Sequence, residues 1–290
     1  MLDTTAAGSA PRADTQLDLQ AGTETRTFYG ATCAPAWVAA DKPGPDAIAA
    51  LVLLAQAPAH GLCPTDYGSA RLGTLRDLLT QPNSPARCAH QLVRFDIYLS
   101  DAVLRFTRDL SRGRLRRYTA SARERLAGPA GQPATRLHAE LARHAVPAVM
   151  LAGQPANREY RQLQQALAQW LARPTAPDSA AQHEARYVQM TVNLESWRWE
   201  ALPVANSDYV LVNLPTCELL VVAHDSVLRR HRVVVGKPTT PTPTLSSRTG
   251  HFTLAPDWHV PRSIAVKEML PHLQRDPGYL ARNNYALYDN

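Results

Sequence analysis

Hydrophobic positions along this chain follow two different rhythms. Across residues 86–110, Leu92, Phe95, Leu99, Ala102, Val103, Phe106 and Leu110 recur at three- and four-residue steps, which predicts one apolar stripe along an amphipathic helix. The same spacing predicts a shorter helix over 134–145 and another over 157–172, with Tyr160, Leu163, Leu167, Trp170 and Leu171 on one face. A further helix over 181–199 carries Tyr187, Met190, Leu194 and Trp197 as a stripe, expected to dock the helical part against the residues beyond 208. Near the start, residues 28–37 read as extended and aromatic. Asp46 then reads as the cap of a helix with Ile48, Leu51, Val52 and Ala55 on one side, closed by Pro58 and His60-Gly61.

After residue 208 the period shortens to two. Runs at 209–214, 218–223 and 227–236 are rich in Val and Leu and are separated by Pro215 and by His224-Asp225-Ser226, the pattern of an antiparallel meander. Three prolines between Lys237 and Ser247 fix φ and remove donors, so that stretch is an extended loop. Residues 251–255 read as a strand again. Ser263 is expected to be the N-cap of a helix holding Ile264, Lys267, Glu268 and Leu270. The change of period predicts an α+β chain: a mostly helical first part, then a β-rich part.

Composition adds limits. The 290 residues, 45% of them hydrophobic, suffice for one large or two modest cores. A net charge of +6 suits an anionic partner such as nucleic acid, a membrane surface or a cell wall. The densest basic run, Arg112 to Arg117, lacks interleaved aromatics and follows a helix, so it reads as a solvated helix end and no nucleic-acid partner is expected. Residues 1–20 have no basic start followed by an apolar core, so no signal peptide is visible, and no run reaches the ~20 apolar residues of a membrane span.

Cys33, Cys63, Cys88 and Cys217 show no Cys-x-x-Cys pair or zinc spacing, and the ten histidines include no His-Glu-x-x-His, so neither a metal site nor a cofactor is expected. Cys217 reads as a small buried strand residue with no histidine placed to activate it, and His60 as the close of a helix beside Gly61.

One succession of segments is more specific. Val234-Val-Gly236-Lys-Pro238, the Thr-Pro-Thr-Leu-Ser-Ser run ending at Ser247, Trp258-His-Val-Pro261-Arg-Ser263-Ile264 and Asp276-Pro-Gly-Tyr-Leu-Ala-Arg282 follow one another in an order that resembles the L,D-transpeptidase family, specifically its large bacterial members with a helical scaffold domain. Phe28-Tyr29, Pro35-x-Trp37, His60-Gly-Leu62, Asp66-Tyr67 and Leu99-Ser-Asp-Ala102 resemble the scaffold domain of such proteins, and Asn193 to Trp199 resembles the helix end that leads into their catalytic domain. The resemblance implies a tail over 1–24, a scaffold domain over 25–172, a linker helix over 173–206 and the first part of a YkuD-like catalytic domain over 207–290.

It also implies cysteine acyl transfer between peptidoglycan stem peptides in the cell envelope or periplasm. The family's Ser-His-Gly-Cys type nucleophile motif is not present in these residues, so the catalytic domain is expected to be incomplete and no catalytic residue is assigned. By resemblance, Trp258, Arg262 and Tyr279 are the candidates for contact with the donor stem. A non-catalytic peptidoglycan-binding protein is the alternative.

Overall fold

The longest stripe becomes α4, Ala89–Arg112, and the rest of the helical part is arranged around it. The computed structural model describes residues 17–30, 34–81, 89–115, 133–174, 179–199, 208–248, 250–251, 253–254 and 256–288. They fall into two compact units, Met1–Val234 and Val235–Asn290.

In the first unit, α1 (Gly22–Tyr29), α2 (Pro45–Ala55), α3 (Ser69–Thr80), α5 (Pro133–Leu141) and α6 (Val146–Leu151) pack against α4. Phe95, Leu99, Ala102, Val103, Phe106 and Leu110 of α4 are buried together with Phe28, Trp37, Leu54 and Leu72. Each of the larger side chains contributes about 1.5–3 kcal/mol by leaving water. A two-strand ribbon of β1 (Val38–Ala39) and β2 (Lys42–Pro43) links α1 to α2. Two 3₁₀ turns, Ala57–His60 and Pro64–Tyr67, end at Gly61 and Gly68, whose positive φ angles of 67° and 64° favour glycine.

The buried face of α4 is not purely apolar. Asp96 accepts hydrogen bonds from the Tyr29 hydroxyl and from the backbone N–H groups of Ala36 (3.0 Å) and Trp37 (2.7 Å). One turn on, Ser100 accepts from the Trp37 indole at 2.7 Å. Asp101 accepts the Ala21 N–H at 2.6 Å, and Asp109 the Tyr67 hydroxyl at 3.1 Å. Burial raises all three carboxyl pKa values above the usual carboxylate range, against the opposing pull of these donors.

Helices α7 (Arg158–Leu171) and α8 (Ala180–Trp199) form a second cluster through Tyr160, Leu167 and Leu194. Tyr187, Met190 and Trp197 pack onto that cluster, so among the described residues the stripe of α8 docks on α7. Arg198, fully buried, is held by Glu195 at 3.1 Å, the Tyr160 hydroxyl at 3.2 Å and the carbonyl of His60.

Several sequence expectations are corrected here. Residues 28 and 29 are helical, the last turn of α1, because its start is fixed by Ala21 and Asp101 rather than by apolar periodicity. On α2 the buried face is Ala47, Ala50, Leu53 and Leu54, while Ile48 and Val52 are exposed; alanines supply the close approach to α4. Gly44 stands at the N-cap, and Asp46 lies in the first turn. The break expected at 128–133 and the run at Arg116-Arg117 lie largely outside the described residues.

Candidate functional site

The β-rich part opens with an antiparallel sheet in the order β3 (Tyr209–Asn213), β4 (Glu218–Ala223), β5 (Ser226–Arg232). Tyr209 pairs with Val222 and Asn213 with Glu218 across a four-residue turn. Ala223 pairs with Ser226 across His224-Asp225, both with positive φ (48° and 63°), as a two-residue hairpin demands. A bulge at Val221/Val222 lets the β4–β5 register shift. Strand β5 is shorter than expected, ending at Arg232. Cys217 is not a strand residue: it closes the β3–β4 turn at φ +53°, half-buried, with its sulfur 3.7 Å from the Leu214 carbonyl. The four turn residues Leu214–Cys217 interrupt the alternation that suggested a strand position.

The sheet is tied to the first turn of α7 by two side chains at one end, where β3 begins and β4 turns into β5. The Tyr209 hydroxyl donates to Glu159 at 2.7 Å, and Arg161 pairs with Asp225 in the β4–β5 turn. Partial burial, then the Glu159 carboxylate, pushes the Tyr209 phenol well above its usual range.

In the second unit, the proline-rich loop is anchored at Gly236, whose N–H donates to the Thr242 hydroxyl at 2.7 Å while Thr240 N–H closes a turn onto the Lys237 carbonyl at 2.9 Å. A Cβ at Gly236 would stand 2.2 Å from the Thr240 oxygen, so the loop admits glycine alone there. Of the strand expected over 251–255, the described residues 251, 253 and 254 are not in a strand.

The helix after Trp258 starts with Arg262–Ile264, widens to a π-helix over Ala265–Met269 and returns to an α-helix over Leu270–Arg275. Pro271 explains the widening: it has no N–H to return to the Lys267 carbonyl, and its ring crowds that oxygen. Pro261, not Ser263, occupies the N-cap, and Ser263 lies inside the first turn.

The three candidate substrate residues lie in this unit in unlike settings. Trp258 is 61% exposed. Arg262 is exposed at the helix start, and among the described residues its guanidinium makes no ion pair. Tyr279 is half-buried between His272 (5.4 Å between centroids, 12° between planes) and Tyr285 (6.3 Å, 27°). Its turn is set by Gly278 N–H donating to the Asp276 side chain at 3.0 Å, with Arg282 paired to the same carboxylate. Among the described residues no hydrogen bond, ion pair or ring contact joins Trp258, Arg262 and Tyr279 to one another. The stacking partners His272 and Tyr285 were missed, and the Tyr279-to-Tyr285 aromatic spacing was the signal for one of them.

A family model of the scaffold domain matches residues 23–167, and a model of the L,D-transpeptidase catalytic domain matches residues 207–290. The chain belongs to the L,D-transpeptidase family. A Haemophilus influenzae protein described as a "Putative L,D-transpeptidase" is 26% identical over 140 residues, covering 48% of this chain and 26% of that protein. The chain therefore spans about a quarter of the length of the curated relative it matches. In L,D-transpeptidase terms, the three-stranded sheet and everything after it fall within the catalytic-domain match, and α1 to most of α7 fall within the scaffold match. No helix among the described residues is long and apolar enough to cross a membrane.

Proposed function

We propose that this protein serves peptidoglycan cross-linking in the cell envelope, as an L,D-transpeptidase whose 290 residues hold the scaffold and the opening part of the catalytic domain without the nucleophile. The catalytic-domain match over residues 207–290 carries this reading. The chemistry requires a thiolate that attacks a stem-peptide carbonyl, expels an amine and leaves a thioester, which the amine of a neighbouring stem then resolves. It also requires a base for the thiol and donors for the oxyanion. No Ser-His-Gly-Cys type motif supplies them here, and Cys217 sits in a turn against a carbonyl.

The role of this chain is then to bind and orient. Arg262, with no ion-pair partner among the described residues, offers a fork for a stem carboxylate. Trp258 offers an exposed ring, and Tyr279 a ring whose position is fixed by its two neighbours. The test is to express this chain beside a version extended through the downstream reading frame and to follow carbapenem adducts by intact mass and cross-linking of stem peptides. The expected result is no adduct, at Cys217 or elsewhere, and no cross-linking by the 290-residue chain, with acylation of the extended one. Turnover by the shorter chain would put the active site elsewhere.

The absent motif favours a second reading, a peptidoglycan-binding protein without catalysis. Retention of the chain on purified sacculi, with no acylation of any extended form, would select it.

A further inference from the structure

We propose that the open edge of β5 takes an acidic segment of a partner protein, which lies along it in extended form as a further strand of the sheet. This interaction goes beyond the function proposed above and does not depend on it.

Among the described residues β5 pairs with β4 on one side and with no strand on the other. Val233 N–H donates to the Cys217 carbonyl at 3.0 Å, which fixes the alternation along the strand. The backbone groups of Arg229 and His231 therefore face β4, and the N–H and C=O groups of Arg230 and Arg232 face outward. Among the described residues no backbone hydrogen bond reaches that outer row. An extended peptide can pair with it, main chain to main chain, while the side chains decide which peptide is accepted.

The side chains select an acidic one. Arg229, Arg230, His231 and Arg232 are consecutive and all exposed. From Tyr209 to Arg232 the chain holds two carboxylates, Glu218 and Asp225. Glu218 reaches Arg230 at a loose 3.7 Å, and Asp225 is paired with Arg161 of α7. Among the described residues Arg229 and Arg232 have no ion pair, so each face of the strand keeps a guanidinium for an incoming carboxylate. The same charges exclude a second copy of this chain, since two antiparallel β5 edges would set arginine against arginine. Leu228, the extra residue at the bulge, is 63% exposed just ahead of the arginines and adds an apolar contact.

The experiment follows the fluorescence anisotropy of a short labelled peptide of Glu, Thr and Val added to the 290-residue chain. It is repeated with every Glu changed to Gln, and with every peptide amide N-methylated. The acidic peptide is expected to bind, less tightly as salt rises, and both altered peptides to bind at least about tenfold more weakly. Arg232→Pro removes an outward N–H and leaves the β4 ladder alone, and Arg229→Ser combined with Arg232→Ser removes the unpaired charges; each is expected to weaken binding about tenfold. Both side chains are exposed, so the serine variant reads the charge even if the proline variant folds poorly. Absence of binding, or unchanged affinity in the serine variant, overturns the proposal. Equal binding of the N-methylated peptide, which keeps its carboxylates but cannot pair, replaces a strand with mere adhesion of a polyanion and overturns it too, and equal binding of the Gln peptide overturns the acidic partner. The chain extended through the downstream reading frame is expected to bind as well; loss of binding there shows that the chain covers this edge itself and overturns the proposal. None of these results touches thioester formation by the extended chain, so a failure here is told apart from a failure of the proposed function.

Discussion

Arg198, near the end of α8, donates to the backbone carbonyl of His60, 138 positions earlier in the chain. The guanidinium is fully buried, and its partner Glu195 also accepts the Leu115 N–H at 2.6 Å. Taking one member away strands the other in a low-dielectric interior. Arg198→Met is expected to cost about 3–5 kcal/mol, well above an exposed arginine such as Arg76 in the same assay. Chemical denaturation of both variants checks this, and equal midpoints would refute it.

His60 itself makes the fold sensitive to acid. Burial, with the charge of Arg198, holds its folded-state pKa below the ordinary 6.5 despite a hydrogen bond with Gln154 that acts the other way. The unfolded chain therefore takes up the proton first as pH falls. This contribution to stability is complete above pH 6.5 and is lost as pH drops from there toward the lowered folded value. Comparing Tm at about pH 7.5 and about pH 5.5, the wild type is expected to lose more than His60→Gln. An identical loss in the two proteins would remove His60 as the cause.

Gly236 is fixed by space, not by φ. An alanine Cβ there meets the Thr240 oxygen at 2.2 Å and the Thr242 nitrogen at 2.8 Å, so the turn from Lys237 to Thr242 must open. Gly236→Ala is expected to cost about 1–3 kcal/mol locally and to admit protease between residues 236 and 248. The cleavage pattern of limited proteolysis reads this out directly.

Tyr209→Phe removes the donor to Glu159 while keeping the ring. The expected cost is about 1–2 kcal/mol, felt as faster amide exchange along β3. No change in exchange at residues 209–213 would mean that the hydrogen bond contributes nothing to holding the sheet on α7.

How much of this was readable beforehand depends on what periodicity counts. The stripe of α4 was legible because six of its seven apolar positions are buried, and the His224-Asp225 turn because two β runs flank it. Asp96, Ser100, Asp101 and Asp109 were not, since a hydrophobic pattern scores them as solvent-facing and only their distant partners show otherwise. Alanine misled in the same way on α2, where Ala47 and Ala50 bury and Ile48 does not. At the candidate site the sequence named Trp258, Arg262 and Tyr279. The π-turn after Ile264 and the ring of His272 against Tyr279 depend on how Pro271 redirects the helix, which no pairwise spacing encodes.

The carboxylates of α4 carry a consequence for synthesis. Asp96, Asp101 and Asp109 each clasp a segment made earlier, at Trp37, Ala21 and Tyr67. A ribosome thus delivers α1, α2 and α3 before the helix that fastens them. Those segments have to wait, solvated and unfastened, until α4 has cleared the exit tunnel. The apolar run 48–54 of α2 is the part most at risk of aggregation in that interval, because Leu53 and Leu54 stay wet until α4 arrives to cover them.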